Sequence, residues 1–347
     1  MNNIPKTMHA VLLNGHGGLD KLEYRTDIDV PVPKNNEVLI KVSAAGINNT
    51  DINTRTGWYS KSTNNDGGSW SGTSLKFPLI QGIDICGSIV SVGSEVNSCR
   101  IGERVIVRPM QTDPKNPERL NMVTVGSEIN GAFAEYVAII SSEAFAINSK
   151  WSDSELGSIP CSYSTAESIL HRVKLGAEKV FINGASGGVG SAAIQLAKIR
   201  KAIVTAQCSI SKAEEVKKIG ADNTVSREAD LVKELGKNKF DVVVDLVAGN
   251  NWNQLLEILK RGGRYATSGA IAGPMVNLDV RTLYLKDLTF YGCTHQPIKV
   301  FENLIKYIES DKIKPIIAKT YSLKDIKKAQ EDFVSKKHVG KLVIKIK

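Results

Sequence analysis

Between residues 180 and 294 apolar runs alternate with amphipathic ones. VFI (180–182), AIVTAQC (202–208), NTVS (223–226), FDVVVDLV (240–247), GRYATSG (263–269) and LTFYGCT (288–294) read as strands. Several are continuously apolar, the pattern of parallel strands buried on both faces. Between them SAAIQLAKIRKA, SKAEEVKKIG, READLVKELGK and NWNQLLEILKRGG read as helices, with Gly220 and Gly262 where C-caps belong. Strand and helix in alternation predict an α/β fold with a doubly wound parallel sheet over about 150–295. Residues 9–145 follow a two-residue rhythm instead. EVLIKVSAAG (37–46), CGSIVSVGSEV (86–96), GERVIV (102–107) and GAFAEYVAI (131–139) are its clearest strands, which predicts an antiparallel β domain. After Gly292 come two helical stretches, VFENLIKYIESDK and LKDIKKAQEDFVSKK, and a last strand, GKLVIKI. The chain is therefore expected to divide into 1–149 with 296–347, and 150–295.

The break after VFI carries the chemistry. Ala185-Ser186-Gly187-Gly188-Val189-Gly190 turns a buried strand into a helix. Such a turn gathers free backbone N–H groups and the positive end of a helix at one spot, which suits a pyrophosphate. Gly187 lets the backbone approach the phosphates, and Gly190 lets helix and strand pack closely. The second strand ends Gln207-Cys208-Ser209-Ile210-Ser211-Lys212, with no carboxylate to hold a ribose 2′-hydroxyl and repel a 2′-phosphate. Ser209 as donor and Lys212 as point charge thus favour NADPH over NADH. Ser211 with Glu214 also forms a capping-box pattern that would start a helix.

The composition, with 42% hydrophobic and 23% charged residues in 347, is that of a soluble globular protein of two domains. No apolar run approaches the ~20 residues of a membrane span, and the N-terminus lacks a signal-peptide layout. Five scattered cysteines without a CxxC pair point to reduced thiols and a cytoplasmic location. The net charge of +9 is spread over helices and the C-terminus without aromatic interleaving, which argues against a nucleic-acid partner. Residues 61–74 are polar and glycine-rich and read as a long loop, a candidate lid over the site.

GINNTD (46–51), GIDICG (82–87), VGSEV, IGERV, GAFAEY, the ASGGVG turn and the closing GKLVI together resemble the medium-chain dehydrogenase/reductase superfamily nearly end to end. Within it the chain is most similar to the zinc-free quinone oxidoreductase and enoyl reductase branches. The resemblance implies a GroES-like β domain joined to a Rossmann domain, and a homodimer or homotetramer formed through the nucleotide domains, with LTFYGCT as the pairing edge. It also implies cofactor contacts from Thr165, from Val247-Ala248-Gly249 and from Ser268-Gly269-Ala270, which follow strands and equally serve as tight turns. Zinc enzymes of the superfamily hold their metal with Cys, His and Cys. Here Asn48 stands at the first position and Ile83-Asp84 in the usual His-Glu, so that only Cys161 matches. One thiol cannot hold a tetrahedral zinc. Residues 108–130 lack the four cysteines of a structural zinc, and the five histidines show no ligand spacing.

Without a metal to polarise a carbonyl, a quinone or an α,β-unsaturated carbonyl is the accessible small-molecule substrate. The enolate it forms needs a hydrogen-bond donor. Tyr59, after a Gly as in those relatives, is the candidate, with Asn48 to orient the substrate carbonyl or the nicotinamide amide. The alternative for Tyr59 is to wall an apolar pocket with Trp58. Cys161 reads either as a small buried hydrophobe or as a reactive thiol, and Arg55 and Arg108 as guides for an anionic substrate or as surface ion pairs. Two other functions stay open: an alcohol dehydrogenase-like enzyme, and a non-catalytic NADPH-binding or RNA-binding protein.

Overall fold

The computed structural model describes residues 4–60, 74–112 and 122–346. The chain folds as two compact units. One comprises residues 1–161, 315–337 and 341–347, the other 162–314 and 338–340. These divisions fall at 161/162 and 314/315, whereas the pattern alone suggests 149/150 and 295/296. The helix Ile298–Glu309 accounts for the later one, since Asn303 on it bonds Glu167 of the second unit.

The first unit is built on a seven-stranded sheet. Its long strand Glu37–Gly46 pairs antiparallel with Cys86–Val92 and Tyr136–Ile140. The closing strand Lys341–Lys345 pairs antiparallel with the end of that same strand, Val343 facing Gly46. The sheet is not purely antiparallel, because Ile317–Ser322 lies parallel to Lys341–Lys345. A second sheet of three strands is centred on Thr7–Leu13. The alternating side chains meet in one core that includes Val38, Ile40, Ile85, Val105 and Phe133.

The second unit carries a six-stranded sheet, parallel throughout. In spatial order its strands are Asn223–Ser226, Ile203–Cys208, Lys179–Asn183, Phe240–Asp245, Leu259–Thr267 and Thr289–Gly292. The order reverses between Lys179–Asn183 and Phe240–Asp245, the point where such sheets open a ligand crevice at their carboxyl ends. Phe181, Val243, Trp252, Leu255 and Tyr265 pack one face.

Two local expectations change. Gly220 caps a helix, but Gly262 does not. The helix Trp252–Ile258 passes directly into a strand at Leu259, which already has an extended backbone (φ −69°, ψ 138°), and Gly262 lies inside that strand. Ser211 caps nothing: Ile210–Lys212 forms a single 3-10 turn, and the helix Ala213–Ile219 starts without a side-chain cap. No described helix is long and apolar enough to cross a membrane. Most of the 61–74 segment lies outside the described residues.

Candidate active site

In the second unit the glycine turn forms as the pattern predicts. Lys179–Asn183 ends in Gly184, and the helix Gly188–Ile199 starts with Gly187 as an N-cap that has no side-chain bond. An uncapped first turn leaves its N–H groups to a ligand. A Cβ on exposed Gly187 would meet only Gly184 O, at 3.7 Å. A Cβ on Gly190 would lie 2.3 Å from Gly184 O and 2.6 Å from Ala185 Cα, so only glycine permits this close helix–strand contact. Ala185 is buried, its N–H bonded to Gln207 O, while Ser186 O accepts from Gly340 N. A cradle open at Gly187 and closed at Gly190 fits a dinucleotide's phosphates.

Ser209 follows the next strand and its Oγ lies 3.3 Å from Ser211 Oγ. Lys212 Nζ donates to His338 O at 2.8 Å, and its backbone N–H bonds Ser209 O. Burial, then the nearby Arg227 charge, lowers the Lys212 pKa from its ordinary value. Arg227 is an addition to the sequence reading: its N–H bonds Cys208 O, and its guanidinium pairs with exposed Glu228. Thr165 is buried and accepts from Gln296 Nε2 at 3.2 Å. Val247 and Ala248 turn tightly after Phe240–Asp245, Ala248 in the left-handed region (φ 54°). Ser268, Gly269 and Ala270 follow the next strand at the same carboxyl edge, partly exposed.

In the first unit Tyr59 follows the helix Asn49–Thr56. Its hydroxyl accepts from Asn53 Nδ2 at 3.3 Å and is also bonded to Thr50. Burial pushes the Tyr59 phenol well above its ordinary value, so it holds its proton at neutral pH. Trp58 packs edge-on against it, with centroids 5.4 Å apart. The buried Cys161 thiol is pushed up to about 12, by burial and then by the Asp84 charge, which makes it a protonated and inert group.

Asn48 enters a closed network. Its Nδ2 donates to Asp84 Oδ2 at 2.9 Å and to Gly46 O at 3.2 Å, and its Oδ1 accepts from Lys341 Nζ. Lys341 also donates to Asp84 Oδ2 at 3.1 Å and to Ile47 O at 3.0 Å. The other Asp84 oxygen accepts the Cys161 N–H at 2.6 Å. Both amide hydrogens of Asn48 and all three of Lys341 are thereby used. Neighbouring Asp51 accepts backbone N–H bonds from Asn48, Gly82 and Ile83. Burial still pushes its carboxyl up to about 7, against the Asn48 N–H bond.

Neither arginine is the surface group that one reading allowed. Arg108 forms a buried two-pronged pair with Glu143, both bonds 2.7 Å, and Arg55 is buried against Gln330 and Gly17 O. Among the described residues no three His, Cys, Asp or Glu side chains converge on a metal position. Asp84 and Lys341 lie within the landmarks GIDICG and GKLVI, and nothing local marks either for a role. No local pattern joins residues 257 positions apart.

A parallel sheet with this glycine turn, in a chain whose other unit is a GroES-like β structure, defines a dehydrogenase of the two-domain type. Residues 34–149 match the alcohol dehydrogenase GroES-like domain and 188–310 the zinc-binding dehydrogenase domain. An NADPH-dependent alkenal/one oxidoreductase of Arabidopsis thaliana is 31% identical over 91% of this chain and 73% of its own. A quinone oxidoreductase of Lama guanicoe is 27% identical over 99% of this chain and 98% of its own. A putative alcohol dehydrogenase from Sinorhizobium meliloti has a similar structure, with TM-score 0.91, 42% identity, and coverage of 100% of this chain and 99% of the other. The chain belongs to the medium-chain dehydrogenase/reductase superfamily, in its quinone oxidoreductase-like branch, and is an oxidoreductase.

Proposed function

We propose that the protein is an NADPH-dependent reductase of quinones or α,β-unsaturated carbonyls that works without catalytic zinc. The observation that carries this reading is the network around Asn48. At two positions where zinc relatives place ligands this chain has an amide and an isoleucine. The amide is bonded to Asp84 and to a lysine ammonium. Names among the relatives, quinone oxidoreductase and alkenal/one oxidoreductase, agree with such acceptors.

NADPH, when bound, supplies the hydride. The uncapped helix Gly188–Ile199 receives its phosphates. Ser209 and Lys212, with Arg227 close by, read the 2′-phosphate, and Thr165, Val247 and the Ser268–Ala270 turn line the nicotinamide half of the crevice. As the far carbon of a conjugated acceptor is reduced, negative charge builds on its oxygen. The protonated Tyr59 phenol donates a hydrogen bond to that oxygen, and the anionic acceptor then takes its proton from solvent. Asn48 holds the entry of the helix Asn49–Thr56, which Tyr59 follows, by its bonds to Lys341 and Asp84. A small molecule is the only partner this scheme needs, and a cytoplasmic site of action agrees with it. A second copy is expected along the edge strand Thr289–Gly292, beside exposed Met275, Val280, Tyr284 and Leu285; a monomeric mass by light scattering would reject it.

The test is oxidation of NADPH by metal-stripped protein with ortho- and para-quinones and 2-alkenals, with NADH as control. Turnover with NADPH alone supports the proposal. Activity that returns only on adding zinc rejects it in favour of an alcohol dehydrogenase-like enzyme. Binding of NADPH without turnover on any acceptor favours the non-catalytic alternative.

A further inference from the structure

Asp245 ends the strand beside the point where the sheet order reverses, directly opposite Asn183. It is completely buried. One carboxylate oxygen accepts from Asn183 Nδ2 at 2.9 Å, Val247 N at 2.9 Å and Ala248 N at 3.0 Å. The other accepts from the Tyr265 hydroxyl at 2.6 Å, which itself accepts from Trp252 Nε1 at 2.8 Å. All four bonds are donated to Asp245, and none of the four donors carries a charge. Burial, then the Asp245 charge, pushes the Tyr265 phenol far up, so it stays the donor. The result is a whole negative charge, dispersed over dipoles but not cancelled, at the carboxyl end of the sheet.

The two halves of a doubly wound sheet each take one half of a dinucleotide. Ser209 and Lys212 mark the half that reads the adenosine ribose. The nicotinamide therefore falls to the half formed by Phe240–Asp245 and Leu259–Thr267, over the turn that Asp245 holds. A nicotinamide ring is neutral when reduced and cationic when oxidised. A fixed anion in a low-dielectric wall attracts only the cationic form.

We propose that Asp245 is a poising residue: its buried carboxylate stabilises the oxidised nicotinamide over the reduced one and so favours hydride departure. This rests on the reductase reading above. The hydride takes two electrons and one proton to the acceptor, the ring is left with one positive charge, and the anionic acceptor takes its proton from solvent. Asp245 neither gives nor takes a proton.

The test compares dissociation constants for NADP⁺ and NADPH, by calorimetry and by NADPH fluorescence, in the parent, Asp245→Asn and Tyr265→Phe. Asparagine is nearly isosteric and removes the charge, and it also turns the oxygen that accepts from Tyr265 into a donor. Its ratio of NADP⁺ to NADPH dissociation constants is expected to rise about tenfold, about 30 mV for a two-electron couple. Tyr265→Phe, which keeps the charge, is expected to leave the ratio within about twofold. Equal weakening of both forms in Asp245→Asn would overturn the inference and leave Asp245 as a brace for the turn. Should Asp245→Asn not fold, Val247→Lys places a cation beside the carboxylate, with Val247→Met as steric control. A ratio equal in these two would also overturn it. If the folded parent bound neither form, the reductase reading itself would fail; binding with an unmoved ratio removes only the poising role.

Discussion

Asp84 and Asp245 are both fully buried carboxylates, one in each unit, and they are treated in opposite ways. Asp84 has a lysine ammonium 3.1 Å away, an amide and a backbone N–H. Asp245 has four neutral donors. A buried ion pair cancels its own field and is a joint between segments. A carboxylate held only by neutral donors has no such partner to cancel its field. Burial alone therefore says little about a charged residue's role; the charge of its partners decides it.

Lys341→Met would break this contrast most severely, because it leaves Asp84 without its cation. A loss of about 3–5 kcal/mol in denaturant unfolding is expected, and Lys341→Met with Asp84→Asn should recover much of it. If the single variant lost under 1 kcal/mol, the node would be a weak joint. Tyr59→Phe tests the reacting end of the same unit. Turnover is expected to fall about a hundredfold or more, in line with the loss of about 2.7–4 kcal/mol for a removed oxyanion donor, at nearly unchanged stability. Unchanged turnover on every acceptor would leave Tyr59 as a pocket wall. On the crevice side, Lys212→Ala should weaken NADPH about tenfold and NADH hardly at all. Equal weakening of both cofactors would remove the 2′-phosphate assignment.

A further effect concerns Asp51. Its folded-state carboxyl titrates near 7 and its unfolded one near 3.8, so the folded protein binds the extra proton between those values. The stability contributed by that proton is full below about pH 4 and is lost as pH rises through about 7. Unfolding measured from pH 5 to 7 should show a steeper fall in the parent than in Asp51→Asn, by up to about 1.4 kcal/mol per pH unit. Parallel curves would mean that the three backbone N–H bonds hold Asp51 ionised throughout.

Much of the second unit was legible because its signals are local. A strand buried on both faces must be apolar throughout, as FDVVVDLV is, and a strand that turns sharply under a helix must supply glycines, as ASGGVG does. Gly262 and Ser211 misled for a related reason. Glycine after basic residues and serine three before glutamate are cap patterns, but each competes with a tertiary outcome. The first lies between Leu259 and Arg264, which pair with the neighbouring strand, and its N–H bonds Lys286 O. A 3-10 turn next to Ser209 absorbed the second.

By itself the amino-acid sequence determined the parallel sheet, the glycine turn from strand into helix, the missing carboxylate after Gln207 and the phenol at Tyr59, all of which depend on neighbours within a few residues. Only the tertiary structure decided that Asn48 is bound to Lys341 and Asp84, that Arg108 is paired inside, and that Asp245 is buried among neutral donors. The reason is physical. The state of a charge depends on what surrounds it in three dimensions, and its surroundings here come from segments up to 294 residues apart.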